Sequence, residues 1–111
     1  MIVNDFKRVF DASSSKKVDL ILTPTCFNDT LIYSEHLKQE RVFDERDFFT
    51  ASANIAGLPA ISIPARLSSN TQLPIGIQLI ADWKRDDLLL NAANWFIKNN
   101  SSNYPYLEEL F

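Results

Sequence analysis

The chain contains few residues that could do chemistry, and most of them lie before residue 50. Cys26 and His36 are its single cysteine and its single histidine. A thiol beside an imidazole can act as a nucleophile with its base, but His36 lies in a charged segment that we expect to be exposed. Because no loop that would form an oxyanion hole is recognisable, we interpret Cys26 as an ordinary half-buried cysteine.

Carboxylates cluster at a second place, where Asp44, Glu45 and Asp47 precede a predicted helix. Helix capping and the helix dipole already explain such a cluster, and a ligand contact by Asp47 is the alternative. The two glycines, Gly57 and Gly76, are too far apart to form a phosphate-binding loop. One cysteine and one histidine cannot build a zinc cage, so we expect no metal site and no complete active site.

Length and charge exclude several classes of protein. The 111 residues suffice for one modest domain, and the net charge of −3 gives no broad attraction to phosphates. We therefore do not expect this chain alone to bind nucleic acid. Its apolar runs are shorter than the roughly 20 residues that cross a bilayer as a helix. Residues 1–10 contain no leader-like pattern, so we expect any targeting signal to lie outside this chain.

Hydrophobic periodicity predicts helices and strands in alternation, which indicates an α/β fold. The predicted order begins with a helix at 1–11, a strand at 18–23 that is covered on both faces of the sheet, and a helix at 48–56. Two strands at 60–64 and 75–80 follow and pair as a hairpin, and the last element is a helix that begins at Asp86. We expect Gly57 to cap the second helix, Pro59 and Pro64 to bracket a strand, and three aromatic residues to pack in the core: Trp83, Trp95 and Phe96. Three strands are fewer than the usual five or six, so we expect residues 1–111 to form one incomplete segment with a tail at 99–111.

Three runs of residues resemble one known family. They are Val-Asp-Leu-Ile-Leu-Thr-Pro-Thr at 18–25, Asn-Ile-Ala-Gly-Leu-Pro-Ala-Ile-Ser-Ile-Pro at 54–64 and Leu-Pro-Ile-Gly-Ile-Gln-Leu-Ile at 73–80. Together they resemble the C-terminal part of the amidase-signature enzymes, in a stretch from about residue 1 to about residue 98. Within this family the chain is most similar to the glutamine-hydrolysing subunits of tRNA-dependent amidotransferases.

This resemblance implies a large mixed sheet covered by helices on both faces, and amide hydrolysis by two serines and a lysine. The glycine- and serine-rich signature that holds those residues is not found in the chain, so the resemblance implies a catalytic half before Met1 and no activity for the chain alone. One residue matches a substrate-binding position of the family: Asp47, seven residues before Asn54. The resemblance implies that Asp47 contacts the α-amino group of glutamine, as suits a carboxylate facing an ammonium group.

The resemblance also implies partners. A B subunit would use the released ammonia, with ATP and Mg²⁺, to convert Glu-tRNA(Gln) into Gln-tRNA(Gln), and a small third subunit would assist. This chain would then hold no cofactor, contact no membrane and meet tRNA only through the complex. The many Asn, Lys and Ile residues are typical of an AT-rich genome and are compatible with a mitochondrial homologue. We expect a mitochondrial location if the source is eukaryotic, with the bacterial cytoplasm as the alternative.

Three other interpretations stay open on the sequence. The chain could belong to a general amidase, because Ser52 and Cys26 stand where the family often has proline. It could also be a stand-alone binding or assembly module that has no catalytic role. The third alternative is a small hydrolase that uses Cys26 and His36.

Overall fold

The computed structural model describes residues 1–13, 15–26 and 48–100. In chain order, this part contains α1 (Ile2–Val9), β1 (Leu20–Pro24), α2 (Phe48–Ala56), β2 (Ala60–Leu67), β3 (Pro74–Ala81) and α3 (Asp86–Asn99). The predicted order of elements is confirmed. Residues 27–47 and 101–111, and with them His36, Asp47 and most of the predicted tail, lie outside the described residues.

The three strands form one antiparallel sheet in the order β1-β3-β2. The predicted hairpin of β2 and β3 is confirmed, and β3 is the central strand of the described sheet. Gln78 of β3 lies opposite Thr23 of β1 and Ser62 of β2. Because residues directly opposite each other project to the same face of a sheet, the register of β3 determines which side chains meet there.

One face of the sheet is covered by α1 and α2. Ile80 of β3 is buried there in a hydrophobic cluster with residues from or next to both helices: Phe10, Ala53, Ala56 and Leu58. Ile21 of β1 packs against the same cluster, as do Val3 and Phe6 of α1. Each short helix is thus stabilised by packing its apolar stripe against the strands, as expected for helices that are too short to be stable alone.

The opposite face of the sheet is covered by α3 over β2 and β3. Ile63 and Ala81 alternate with the residues of the first face and are buried on this side, and α3 buries Leu89 and Ala93. Helices therefore lie on both faces, which confirms the predicted α/β class. The expectation that β1 is covered on both faces is wrong for the described part of the chain, because Leu22 remains 64% exposed.

The helix α3 begins at Asp86, as the sequence predicts. Just before it, Lys84 adopts a positive φ of 64°, and the Nε of Arg85 lies 3.1 Å from Oδ1 of Asp87. The hydrogen bond from the Arg85 guanidinium lowers the pKa of Asp87 below its ordinary value. The two acidic residues at the start of α3, Asp86 and Asp87, complement the positive end of the helix dipole.

Of two predictions about the backbone, the one for Gly57 is confirmed and the one for Pro64 is wrong. Gly57 adopts a φ of 73°, which confirms it as a left-handed cap of α2. Pro64 does not end β2, since the strand continues to Leu67 and shifts its register between Pro64 and Arg66. A bulge on a strand at the edge of the described sheet accommodates a residue without an N–H group, so the strand is longer than predicted.

The indole of Trp83 links the loop after β3 to the end of α2. Its Nε1 donates a hydrogen bond to the carbonyl oxygen of Ala56 at 3.1 Å, and its ring packs against the hydrophobic cluster. The last carbonyls of a helix lack partners within the helix, so this bond satisfies one of them. The prediction of core packing is wrong for Trp95, which is 65% exposed on α3.

We expect the substitution Trp83→Phe to lower the free energy of unfolding by about 1–2 kcal/mol, because the Ala56 carbonyl loses its donor and the packed ring becomes smaller. The matched control is Trp95→Phe, which should change the stability by less than about 0.5 kcal/mol. Urea unfolding measures both. Equal effects of the two substitutions would show that the hydrogen bond to Ala56 does not stabilise the contact between the loop after β3 and the end of α2.

Candidate functional site

A row of polar residues lies on the sheet face that α1 and α2 cover. We call it the polar row and define it as Thr23 and Thr25 of the first motif, Ser62 of the second, and Gly76 and Gln78 of the third. The register brings them together, because Thr23 and Ser62 lie opposite Gln78 and each strand alternates its side chains between faces. Residues from all three motifs therefore meet in space.

Gln78 is the buried centre of the polar row, with 4% of its surface exposed. Its Nε2 donates one hydrogen bond to Oγ1 of Thr23 at 3.0 Å and another to the carbonyl oxygen of Phe49 at 2.9 Å. A buried amide is costly unless its donors are satisfied, and here both N–H groups have an acceptor. The side chain thereby joins β3 to β1 and to the first turn of α2.

Thr25 and Ser62 form the second link of the polar row. Their hydroxyl oxygens lie 2.8 Å apart, and the backbone N–H of Thr25 donates to the carbonyl of Gly76 at 3.2 Å. A Cβ at position 76 would come within 2.8 Å of the Ser62 hydroxyl and 2.9 Å of the Thr25 hydroxyl. The absence of a side chain at Gly76 is therefore what leaves room for this bond.

The candidate site residues chosen from the sequence do not belong to the polar row. Asp47 and His36 lie outside the described residues, so the ammonium contact of Asp47 stays a prediction. Cys26 follows the polar row directly, but it is exposed, and the expectation that it is half-buried is wrong. Phe48, the first residue of α2, follows Asp47 in the sequence.

The described part of the chain contains neither a metal site nor a membrane helix. No three histidine, cysteine, aspartate or glutamate residues come together there as metal ligands would. No helix within the described ranges combines the length and the apolar character needed to cross a membrane.

Sequence reasoning did not select the polar row as a site. The usable signal was that Ser62 lies between Ile61 and Ile63, and that Gln78 lies between Ile77 and Leu79. A polar residue at a buried strand position must find a partner, and Gln78 finds its partners 55 and 29 residues away along the chain. The hydrogen bonds of Gln78 therefore could not be predicted from local patterns in the sequence.

The family of this chain follows from comparison with known proteins. The model of the Amidase family matches residues 1–90. This match covers most of the chain and includes all three motifs, so the chain belongs to the amidase family. The resemblance inferred from the motifs is thereby confirmed.

The relatives of this chain include mitochondrial subunits of an amidotransferase. The chain is 40% identical, over 99% of its length, to the mitochondrial A subunit of glutamyl-tRNA(Gln) amidotransferase from Homo sapiens and to that from Macaca fascicularis. It is 45% identical, over 88% of its length, to the protein of the same name from Anopheles gambiae. The chain spans only about one fifth of the length of these relatives, with 20%, 20% and 19% covered.

Solved structures show the same fold. The structure of 6-aminohexanoate cyclic dimer hydrolase superposes with a TM-score of 0.69 and 30% identity over 87% of this chain. The same hydrolase complexed with substrate gives a TM-score of 0.70 and 29% identity over 96% of this chain. The matched parts are 22% and 23% of those chains, so the chain has the fold of one part of an amidase-signature enzyme.

Proposed function

We propose that this chain is part of the glutamine-hydrolysing subunit of a glutamyl-tRNA(Gln) amidotransferase, and that it functions in a mitochondrion. The identity of 40% over 99% of the chain to mitochondrial A subunits is the observation that supports this most strongly. The complete enzyme would release ammonia from glutamine. A partner B subunit would use the ammonia with ATP and Mg²⁺ to convert Glu-tRNA(Gln) into Gln-tRNA(Gln), and a small third subunit would complete the complex.

In this proposal the chain contributes binding and no catalytic group. Asp47 would hold the α-ammonium group of glutamine through charge-assisted hydrogen bonds. The two serines and the lysine of the family would come from a region that this chain does not include. The polar row would then help to hold β1, β3 and α2 together, because the buried side chain of Gln78 joins them through hydrogen bonds.

A second candidate function is that of a general amidase. The likeness to 6-aminohexanoate cyclic dimer hydrolase, at 30% identity and a TM-score of 0.69, favours it. In that case the physiological substrate would be an amide other than glutamine, and neither a B subunit nor tRNA would be involved.

Transamidation by the native protein tests the proposal. The polypeptide that contains this sequence is purified from its source cells together with its associated subunits, and Glu-tRNA(Gln) is supplied with ATP and Mg²⁺. We expect Gln-tRNA(Gln) to form with glutamine and also with ammonium chloride as the nitrogen source. Failure with both nitrogen sources, while the preparation hydrolyses a cyclic amide, would favour the general amidase.

The 111-residue chain alone should release no ammonia from glutamine, because it contains no nucleophile and base of the family type. A coupled ammonia assay on the purified chain measures this, with the native enzyme as the positive control. Turnover that saturates with glutamine would contradict the assignment of the catalytic residues to another region.

A further inference from the structure

We propose that the uncovered part of the sheet face on which α3 packs is an interface with the region of the same polypeptide that this chain does not include. The region would supply apolar side chains and one carboxylate. We call the surface the open floor and define it as Leu22 and Pro24 of β1 with Ile75 and Ile77 of β3. The inference rests on one element of the proposed function, that this chain is part of a longer subunit.

The register places the open floor on a single face of the sheet. Ile77 lies opposite Pro24 on one side and opposite the buried Ile63 on the other. Leu22 projects to the same face as Pro24, because one residue separates them along the strand. The helix α3 lies over β2 and β3, and Leu22 on β1 remains 64% exposed. The described elements therefore cover this face only in part.

The open floor lines a cavity of about 600 Å³. Among the described residues around this cavity, Arg66 alone carries a charge. Its guanidinium forms no ion pair within the described part of the chain. An apolar surface beside a cation without a partner fits an apolar segment that carries a carboxylate, since an arginine and a carboxylate form strong charge-assisted hydrogen bonds.

The bulge in β2 places Arg66 beside the open floor. Strict alternation from Ser62 would direct Arg66 to the face of the polar row. The register shift between Pro64 and Arg66 instead sets Arg66 opposite Ile75 of the open floor. A bulge commonly redirects a side chain in this way, so the cation and the apolar surface come together through the backbone of β2.

Two observations select the rest of the polypeptide as the occupant. The chain spans about one fifth of the length of its amidotransferase relatives, so most of such a subunit lies outside it. In addition, β1 is at the edge of the described sheet, so an open face and an open edge occur on the same strand. Because such a surface promotes association, it is normally covered within the folded protein.

Alkylation of introduced cysteines tests the interface in the complete subunit with its partners. Leu22→Cys places a thiol on the open floor, and Asn70→Cys places one on the exposed turn between β2 and β3. Iodoacetamide should modify position 22 about 100-fold more slowly than position 70, because modification then requires local opening. In concentrated urea the two rates should agree within about twofold. If Leu22→Cys does not fold, Pro24→Cys provides the same measurement.

Charge reversal tests the carboxylate that the proposal assigns to the occupant. Arg66→Glu should raise the alkylation rate at position 22 about 10-fold, because two like charges would then face each other. Arg66→Gln should raise the rate by a smaller factor. The matched control Lys84→Glu reverses a charge in the loop before α3 and should leave the rate unchanged. An unchanged rate with Arg66→Glu overturns the assigned carboxylate.

The state of assembly decides which occupant covers the open floor. Protection of position 22 that persists in the isolated monomeric subunit supports the inference. Equal rates at positions 22 and 70 overturn it. Protection that is lost on removal of the B subunit, or on dilution, also overturns it, because a partner subunit or a second copy would then be the occupant. Since these rates do not depend on glutamine, protection without transamidation would reject the proposed activity and leave the interface standing.

Discussion

Replacing Asp47 with asparagine should raise the KM for glutamine about 10–100-fold in the native enzyme, because a charged hydrogen bond to the substrate ammonium group is lost. Asparagine has nearly the same size and still offers one acceptor oxygen, so the substitution removes the charge and little else. The turnover number should change less than the KM, since the ammonium group lies away from the amide that reacts. Steady-state ammonia release at varied glutamine concentration measures both constants.

The matched control for this substitution is Asp44→Asn. Asp44 belongs to the same acidic cluster but does not match the substrate-binding position of the family. We expect its KM for glutamine to stay within about twofold of the wild type, because the resemblance assigns the ammonium contact to position 47 and not to position 44. Equal KM values for the Asp47 variant and the wild type would mean that another group binds the ammonium.

Replacing Gly76 with alanine should lower the free energy of unfolding by about 1–3 kcal/mol, because the added Cβ overpacks the space beside two hydroxyl groups. The new Cβ would meet the Ser62 and Thr25 hydroxyls at 2.8 and 2.9 Å, and Cβ of Thr25 at 3.3 Å. Moving either hydroxyl away from the new Cβ would disturb the 2.8 Å hydrogen bond that joins them. Urea unfolding of the variant and the wild type measures the difference.

A rescue experiment separates this clash from the general cost of alanine in a strand. In a background with Ser62→Ala and Thr25→Ala, both hydroxyl oxygens are gone. The further change Gly76→Ala should then cost less than half of what it costs in the wild-type background. An undiminished cost would show that the hydroxyl pair is not what requires glycine at this position.

The order of helices and strands could be predicted because it depends on short-range patterns. The alternation in β2 and β3, the turn residues between them and the left-handed position of Gly57 are all local features. The errors arise where a pattern is ambiguous. An apolar run such as β1 looks the same whether one face or both are covered, so the exposure of Leu22 was not predictable.

The candidate site could be predicted only in part, for a physical reason. The interpretation of Asp47 depends entirely on the resemblance to the family, since acidic residues before a helix have an ordinary explanation in capping. The polar row depends on contacts between residues far apart in sequence, such as Gln78 with Thr23 and with Phe49. The register of the sheet brings Thr23 to Gln78, and the position of α2 on the sheet brings the Phe49 carbonyl to it.

The measurement that tests the central claim most directly is the hydrolysis of several amides by the native polypeptide that contains this sequence. Ammonia release is followed for glutamine and acetamide, and ring opening is followed for the cyclic dimer of 6-aminohexanoate. We expect kcat/KM for glutamine to exceed that for the other amides by about 100-fold or more, since a site built around an ammonium contact rejects amides that lack it. Efficient hydrolysis of acetamide or the cyclic dimer, with glutamine left intact, would contradict the assignment to a glutamine-dependent amidotransferase.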